Sequence, residues 1–172
     1  DNMLIGGGIP SSIYSMSKLR ALNIGLNAFG GGIPSDPNTF ASLTQLERFN
    51  MPLCNLTGVV PTSIQTMTSL QLIGIGGNHF NGSLPPLTNM SNLVSLELFY
   101  NHFKGNIPTV YGSVAAGLKV LSLWGNYLSG SIPVEIGNLS ALELLDLSYN
   151  YFNSSIPASL ANATALVECL LN

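Results

Sequence analysis

The sequence predicts an α/β solenoid, a stack of repeats rather than a domain with one central core. Three observations support this prediction. Residues 118–133, LKVLSLWGNYLSGSIP, place leucines at fixed offsets around one asparagine and close on Gly-x-Ile-Pro. The same pattern begins at seven leucines in all, Leu19, Leu46, Leu70, Leu93, Leu118, Leu142 and Leu166. The steps between these starts are 27, 24, 23, 25, 24 and 24 residues, and such a period indicates stacked repeats.

Each repeat begins with a short strand. Leucines at the fourth and sixth positions, such as Leu121 and Leu123, alternate along the strand and point inward. The residues at the fifth and seventh positions point outward. Strands from successive repeats are therefore expected to form one parallel sheet.

An asparagine follows most of these strands, at Asn27, Asn78, Asn101, Asn126 and Asn150. The chain bends there with its backbone polar groups buried, and an amide side chain both donates to and accepts from such groups. We expect these residues, the asparagine ladder, to bond across adjacent repeats. Cys54 holds the position in the third repeat. Because a thiol donates only weakly, we expect looser bonding there.

Glycine and proline then redirect the chain. Glycines such as Gly105 and Gly130 allow backbone geometries closed to other residues. Proline after Ile, Val or Leu forces an extended step and removes an N–H donor. The segment that follows, residues 134–139 in the sixth repeat, has the apolar spacing of a short helical or 3₁₀ turn.

These residues resemble the plant-type extracellular leucine-rich repeat, LxxLxLxxNxLxGxIPxxLxxLxx, of receptor-like kinase ectodomains, receptor-like proteins and polygalacturonase-inhibiting proteins. The resemblance covers essentially residues 1–172. It implies a leucine-rich-repeat horseshoe with a parallel β-sheet on the concave face and short 3₁₀ or helical turns on the convex side. We expect one array of about seven repeats of about 24 residues. The paired-cysteine caps usual in the family are not recognisable. The array is therefore expected to be part of a longer one or to cover its terminal repeats in another way.

The two cysteines, Cys54 and Cys169, lie five repeats apart. Strand spacing separates them by roughly 24 Å, well beyond the ~7 Å between Cα atoms that a disulfide tolerates. We predict that both are buried thiols.

The two chain ends are in repeat phase, because residues 166–172 continue into residues 1–4 with Asn2 at the ladder position. Either an array was cut at equivalent points, or copies self-associate head to tail through Met3 and Leu170.

Composition limits the partners and the compartment. Only 8% of residues are charged, five are Lys or Arg, and the net charge is −3, so the chain does not have the basic surface of a nucleic-acid-binding protein. No apolar run is long enough to span a membrane. Six Asn-x-Ser/Thr acceptor sequences predict N-linked glycans and an extracellular or cell-surface protein. They are Asn55, Asn81, Asn89, Asn138, Asn153 and Asn162.

The outward strand positions predict a binding surface on the concave face. Aromatic residues gather on its fifth to seventh repeats beside two acids, and exposed aromatics are typical of binding hot spots. The predicted ligand-binding residues are Glu97, Phe99, Tyr100, Ser122, Trp124, Asp146 and Tyr149. The glycine-rich strand of the fourth repeat predicts a flat gap beside them. The resemblance implies a protein or peptide ligand.

No catalytic group is expected. His79 and His102 occupy equivalent positions and should be neighbours, but two imidazoles without a third ligand do not complete a metal site. Glu97 and Asp146, about 10 Å apart by strand spacing, match an inverting glycosidase only loosely. We therefore expect no enzymatic activity, no cofactor and no metal.

The predicted function is extracellular recognition. A structural, self-assembling repeat protein is the alternative, and a carbohydrate- or ice-binding Ser/Thr/Asn surface is a weaker one.

Overall fold

The computed structural model describes residues 6–114 and 116–172. Short parallel strands alternate between two sheets along this part of the chain. In chain order the strands are β1 (Ala21–Asn23), β2 (Arg48–Asn50), β3 (Thr57–Val59), β4 (Leu72–Gly74), β5 (His79–Ser83), β6 (Ser95–Glu97), β7 (His102–Gly105), β8 (Val120–Ser122), β9 (Tyr127–Gly130), β10 (Leu144–Asp146), β11 (Tyr151–Phe152) and β12 (Glu168–Leu170). The predicted solenoid of stacked repeats is confirmed.

The larger sheet is the predicted concave one. Its seven strands follow the order β1-β2-β4-β6-β8-β10-β12, and each pairs in parallel with the equivalent strand of the next repeat. The central residue of each strand from β1 to β10 points inward and is buried. These residues are Leu22, Phe49, Ile73, Leu96, Leu121 and Leu145. The core is therefore one continuous apolar column beneath the sheet.

A second parallel sheet, of order β3-β5-β7-β9-β11, lies beside the first and was not predicted. Its strands contain glycines, histidines and other polar residues, which sequence patterns assign to a loop. The strands exist because Phe80 and Phe103 alternate inward into the core while their neighbours face outward. Gly105 at φ 81° ends β7 in a left-handed conformation, which glycine adopts without strain.

Short helical turns lie on the convex side in five of the connecting segments, as predicted. The 3₁₀ helices span Ser11–Ser15, Thr62–Thr66, Val134–Asn138 and Ala158–Asn162, and one short α-helix, α1, spans Tyr111–Val114. The Tyr111 hydroxyl donates a 2.8 Å hydrogen bond to the Pro85 carbonyl oxygen of the preceding repeat. Burial raises the pKa of Tyr111 well above its usual value. The turns are thus linked from repeat to repeat.

The asparagine ladder joins adjacent repeats as predicted. Asn101 is the clearest example, because its Nδ2 donates to the carbonyl oxygens of Ile75, Leu98 and Phe99 at 3.0, 3.2 and 3.1 Å. Its Oδ1 accepts a 2.9 Å bond from the Phe80 N–H of the preceding repeat. Asn78, Asn126 and Asn150 bond in the same way.

Cys54 makes a smaller set of contacts at the ladder position. Its Sγ lies 3.1 Å from the Ile24 carbonyl oxygen and 3.5 Å from that of Pro52, and these oxygens accept from the thiol. The thiol is buried, and burial raises its pKa. The ladder thus continues through Cys54, with sulfur replacing the amide.

The expectation for Cys169 was wrong. It is an exposed free thiol, whereas Cys54 is a buried free thiol. Cys169 takes the inward position of β12, and β12 is the edge strand of the larger sheet. An inward side chain there has neighbours on one side only. The other end of the proposed head-to-tail contact, Asn2 and Met3, lies outside the described residues, so self-association remains a prediction.

Candidate functional site

Three aromatic side chains form a cluster on the concave face, which we call the Trp124 stack. The rings of Phe99 and Trp124 lie parallel, with centroids 5.5 Å apart and planes within 1°. The Tyr100 ring lies 5.6 Å from Trp124 at 49°. Such ring pairs each contribute about 0.5–1.5 kcal/mol beyond their buried area. The stack therefore presents a pre-ordered aromatic surface on neighbouring strands.

The predicted flat gap beside this cluster is absent, because neighbouring side chains fill it. A Cβ on Gly76 would lie 2.5 Å from Cε1 of Phe99, so the Phe99 ring rests directly on the glycine backbone. Asn50 lies over Gly74 in the same manner, and Leu53 over Gly77. Gly76 thus supports the aromatic stack, and Gly74 and Gly77 are covered by Asn50 and Leu53.

Replacing Gly76 with alanine is expected to displace Phe99 and expose one face of Trp124. Stability should fall by only about 1 kcal/mol, because the half-buried Phe99 ring is free to swing outward. The measurement is the emission spectrum of Trp124, the sole tryptophan, which should move to longer wavelength. Gly117→Ala is the control, since nothing lies within 4 Å of a Cβ there. An unchanged emission spectrum in Gly76→Ala would contradict the packing of Phe99 on Gly76.

Two carboxylates lie near the stack on the same face. Glu97 accepts a 2.8 Å hydrogen bond from the Ser95 hydroxyl, and Asp146 accepts a 3.1 Å bond from the Ser148 N–H. Glu97, Ser122 and Asp146 are in register across β6, β8 and β10. Ser122 is only 7% exposed, because its short side chain lies between these two longer ones. The carboxylates, rather than Ser122, are available to a ligand.

Tyr149 occupies the strand-end position equivalent to Tyr100. It is 70% exposed, and among the described residues its ring does not join the Trp124 stack. Tyr100 and Tyr149 both have positive φ, at 50° and 52°. The structure therefore brings Phe99, Tyr100 and Trp124 together and leaves Tyr149 as a separate exposed aromatic.

A second row of rings follows the strand starts of the smaller sheet, and we call it the lateral row. Its members are His79, His102, Tyr127 and Tyr151, with successive centroids 5.4, 5.7 and 6.1 Å apart. The predicted proximity of the two histidines is confirmed. Tyr127 and Tyr151 were not predicted as surface features, although the residue after each ladder asparagine is the signal that identifies them.

The six glycan acceptor residues are all exposed. None lies on a strand of the larger sheet. Asn55, Asn81 and Asn153 lie on the side of the smaller sheet, and Asn89, Asn138 and Asn162 lie on the convex turns. Glycans at these positions would leave the concave face open.

Other chemistry has little support within the described residues. In residues 6–114 and 116–172, no three His, Cys, Asp or Glu side chains converge to hold a metal ion. No helix in that part of the chain is both long and apolar enough to cross a bilayer.

The leucine-rich repeat family model matches residues 117–139 and 141–163. Receptor-like protein 39 of Arabidopsis thaliana is 35% identical over 145 residues, which are 82% of this chain and 16% of that protein. The chain therefore spans about one sixth of the length of this curated relative.

Solved structures give the same relationship. The ectodomain of the Arabidopsis thaliana receptor kinase GASSHO1/SCHENGEN3, in complex with CASPARIAN STRIP INTEGRITY FACTOR 2, aligns with a TM-score of 0.93 at 34% identity, covering 99% of this chain and 20% of that one. The plant peptide hormone receptor RGFR1, in complex with RGF2, aligns with a TM-score of 0.92 at 31% identity. The alignment covers 98% of this chain and 26% of that one.

Proposed function

This chain is a leucine-rich-repeat array of the plant receptor-like kind, and we propose that it is an extracellular recognition module that binds a peptide or protein ligand through its concave face. The observation that carries the proposal is the Trp124 stack, in which Phe99 and Trp124 are ordered by Gly76 beside Glu97 and Asp146. Ordered aromatic side chains offer contact area with little loss of conformational entropy on binding.

Two further observations support the concave face as the binding surface. The solved relatives include receptors in complex with peptide ligands. The glycan acceptor residues lie away from the strands of the larger sheet. A ligand on this face would meet aromatic surface at the stack and negative charge at Glu97 and Asp146. We therefore expect ligands that combine apolar residues with a Lys or Arg side chain.

The experiment is a selection of displayed random peptides on the secreted, folded protein. Binding is then measured by titration of Trp124 fluorescence, which reports on this face because no other tryptophan is present. Enriched peptides that change Trp124 emission in a saturable manner would support the proposal. Enriched peptides that bind without any change at Trp124, or no enrichment at all, would contradict it.

Glycosylation gives a separate prediction. When the chain is secreted from a eukaryotic host, its intact mass should exceed the sequence mass and fall after enzymatic removal of N-glycans. The attached sugars should map to exposed acceptors such as Asn138 and Asn162 on the convex turns. Asn138→Gln, compared with the control Asn92→Gln outside any acceptor sequence, should remove one glycan mass. An unmodified secreted protein would contradict the prediction.

A further inference from the structure

A groove runs along the rim between the two sheets. On its concave side it is lined by Leu53 and Tyr100, and on its other side by His79, His102 and Tyr127 of the lateral row. Ladder asparagines lie at its base, and it encloses about 410 Å³. Tyr100 also contacts Trp124, with ring centroids 5.6 Å apart. The rim groove is therefore continuous with the Trp124 stack.

The concave wall of the groove is built from two bulky residues at the strand ends, Leu53 and Tyr100. Their φ values are 56° and 50°, and the equivalent residue of every repeat from the second to the seventh is left-handed as well, so this conformation belongs to the repeat. Leu53 is 54% exposed and Tyr100 is 63% exposed. Both side chains are therefore accessible to a ligand.

The charge of the groove differs from that of the concave face. Strands β3, β5, β7 and β9 contain no Asp or Glu, and none lines the groove within the described residues. The titratable and charged groups near the two histidines are the following. The rings of His79 and His102 lie beside each other, Tyr127 contacts His102, Tyr100 lines the groove, and Lys104 is exposed on the same strand as His102. A histidine ring donates a hydrogen bond through at least one N–H group. The groove thus offers hydrogen-bond donors, and none of its described lining residues is a carboxylate.

We infer that the rim groove binds an acidic segment of the same peptide that contacts Trp124, with a carboxylate of the peptide accepting hydrogen bonds from His79 and His102. The inference rests on the proposed concave-face function and gives the ligand a charge pattern. A cationic residue lies by Glu97 and Asp146, and a carboxylate lies across Tyr100 in the groove. The imidazole N–H groups supply the donors, and hydrogen bonds to an ionised carboxylate are stronger than those between neutral groups.

The test is a selection of a random dodecapeptide phage library on the secreted protein. The expected result is enrichment of Asp or Glu at a fixed distance from a Lys or Arg. The double variant His79→Ala/His102→Ala removes the imidazole donors, and calorimetry should show that it binds the enriched acidic peptides at least about tenfold more weakly. It should still bind peptides through Trp124.

Lys18→Gln is the matched control, because Lys18 is an exposed cation remote from the groove. Circular dichroism confirms folding of the double variant, whose changed side chains are both exposed. If peptides alter Trp124 emission but show no acidic enrichment, or bind the double variant as tightly as the unmodified protein, the groove inference is wrong and the concave-face proposal stands. If no peptide binds the unmodified protein, both are wrong.

Discussion

Asn101→Ala is expected to lower the free energy of unfolding by about 3–5 kcal/mol. The change removes three hydrogen bonds to the carbonyl oxygens of Ile75, Leu98 and Phe99, and leaves the Phe80 N–H without its acceptor. Asn101 is 2% exposed, so water replaces these partners poorly, and each unsatisfied buried group costs about 1–3 kcal/mol. Urea unfolding followed by circular dichroism measures the loss.

The control for this change is Asn106→Ala, at an exposed asparagine five residues away. It should stay within about 0.5 kcal/mol of the unmodified protein. Asn101→Cys provides a second comparison, because Cys54 shows that sulfur is accepted at the ladder position. Its loss should be smaller than that of alanine. Equal stability of Asn101→Ala and Asn106→Ala would show that the ladder adds nothing to stability.

Trp124→Ala is expected to weaken binding of any concave-face peptide by about 2–4 kcal/mol, or roughly 30- to 1,000-fold in Kd. The substitution removes the ring that contacts both Phe99 and Tyr100, so the stack is dismantled along with the direct contact. Because the variant has no tryptophan, calorimetry replaces fluorescence.

Val134→Ala is the matched control for Trp124→Ala. Val134 is 59% exposed and begins a 3₁₀ helix on the convex side. It removes exposed apolar surface without touching the stack, so its peptide affinity should be unchanged. Equal affinity of Trp124→Ala and the unmodified protein would remove the concave face as the binding surface.

Repeat spacing predicts those features that each repeat specifies by itself. The strand at Leu121 and Leu123, the bonding of Asn101 and Asn126, and the 3₁₀ helix Val134–Asn138 all follow from residues within one period. The proximity of His79 and His102 follows from equivalent positions in neighbouring repeats. These features depend on local sequence and on regular stacking, both of which are visible in the pattern.

Features that depend on the size of a neighbour in another repeat were not predictable. Phe99 lies flat because Gly76, one repeat earlier, has no side chain, and Ser122 is covered because Glu97 and Asp146 flank it. The smaller sheet was not predicted because each of its strands has few inward apolar residues, such as the single Phe80 of β5, among polar neighbours. Cys169 was misassigned because its sequence pattern matches that of an inner strand, whereas its burial depends on a following strand.

The cysteine at the ladder position has a consequence for cooperativity. In an array whose units interact only with adjacent units, unfolding spreads along the chain until it meets a strong interface and starts where an interface is weak. At the junction of the second and third repeats, the Cys54 thiol makes two contacts with carbonyl oxygens. At the equivalent position of the fifth repeat, the Asn101 amide donates three hydrogen bonds. The Trp124 stack and every residue that lines the rim groove lie on the C-terminal side of this junction. Opening of the junction would therefore leave the stack and the groove folded.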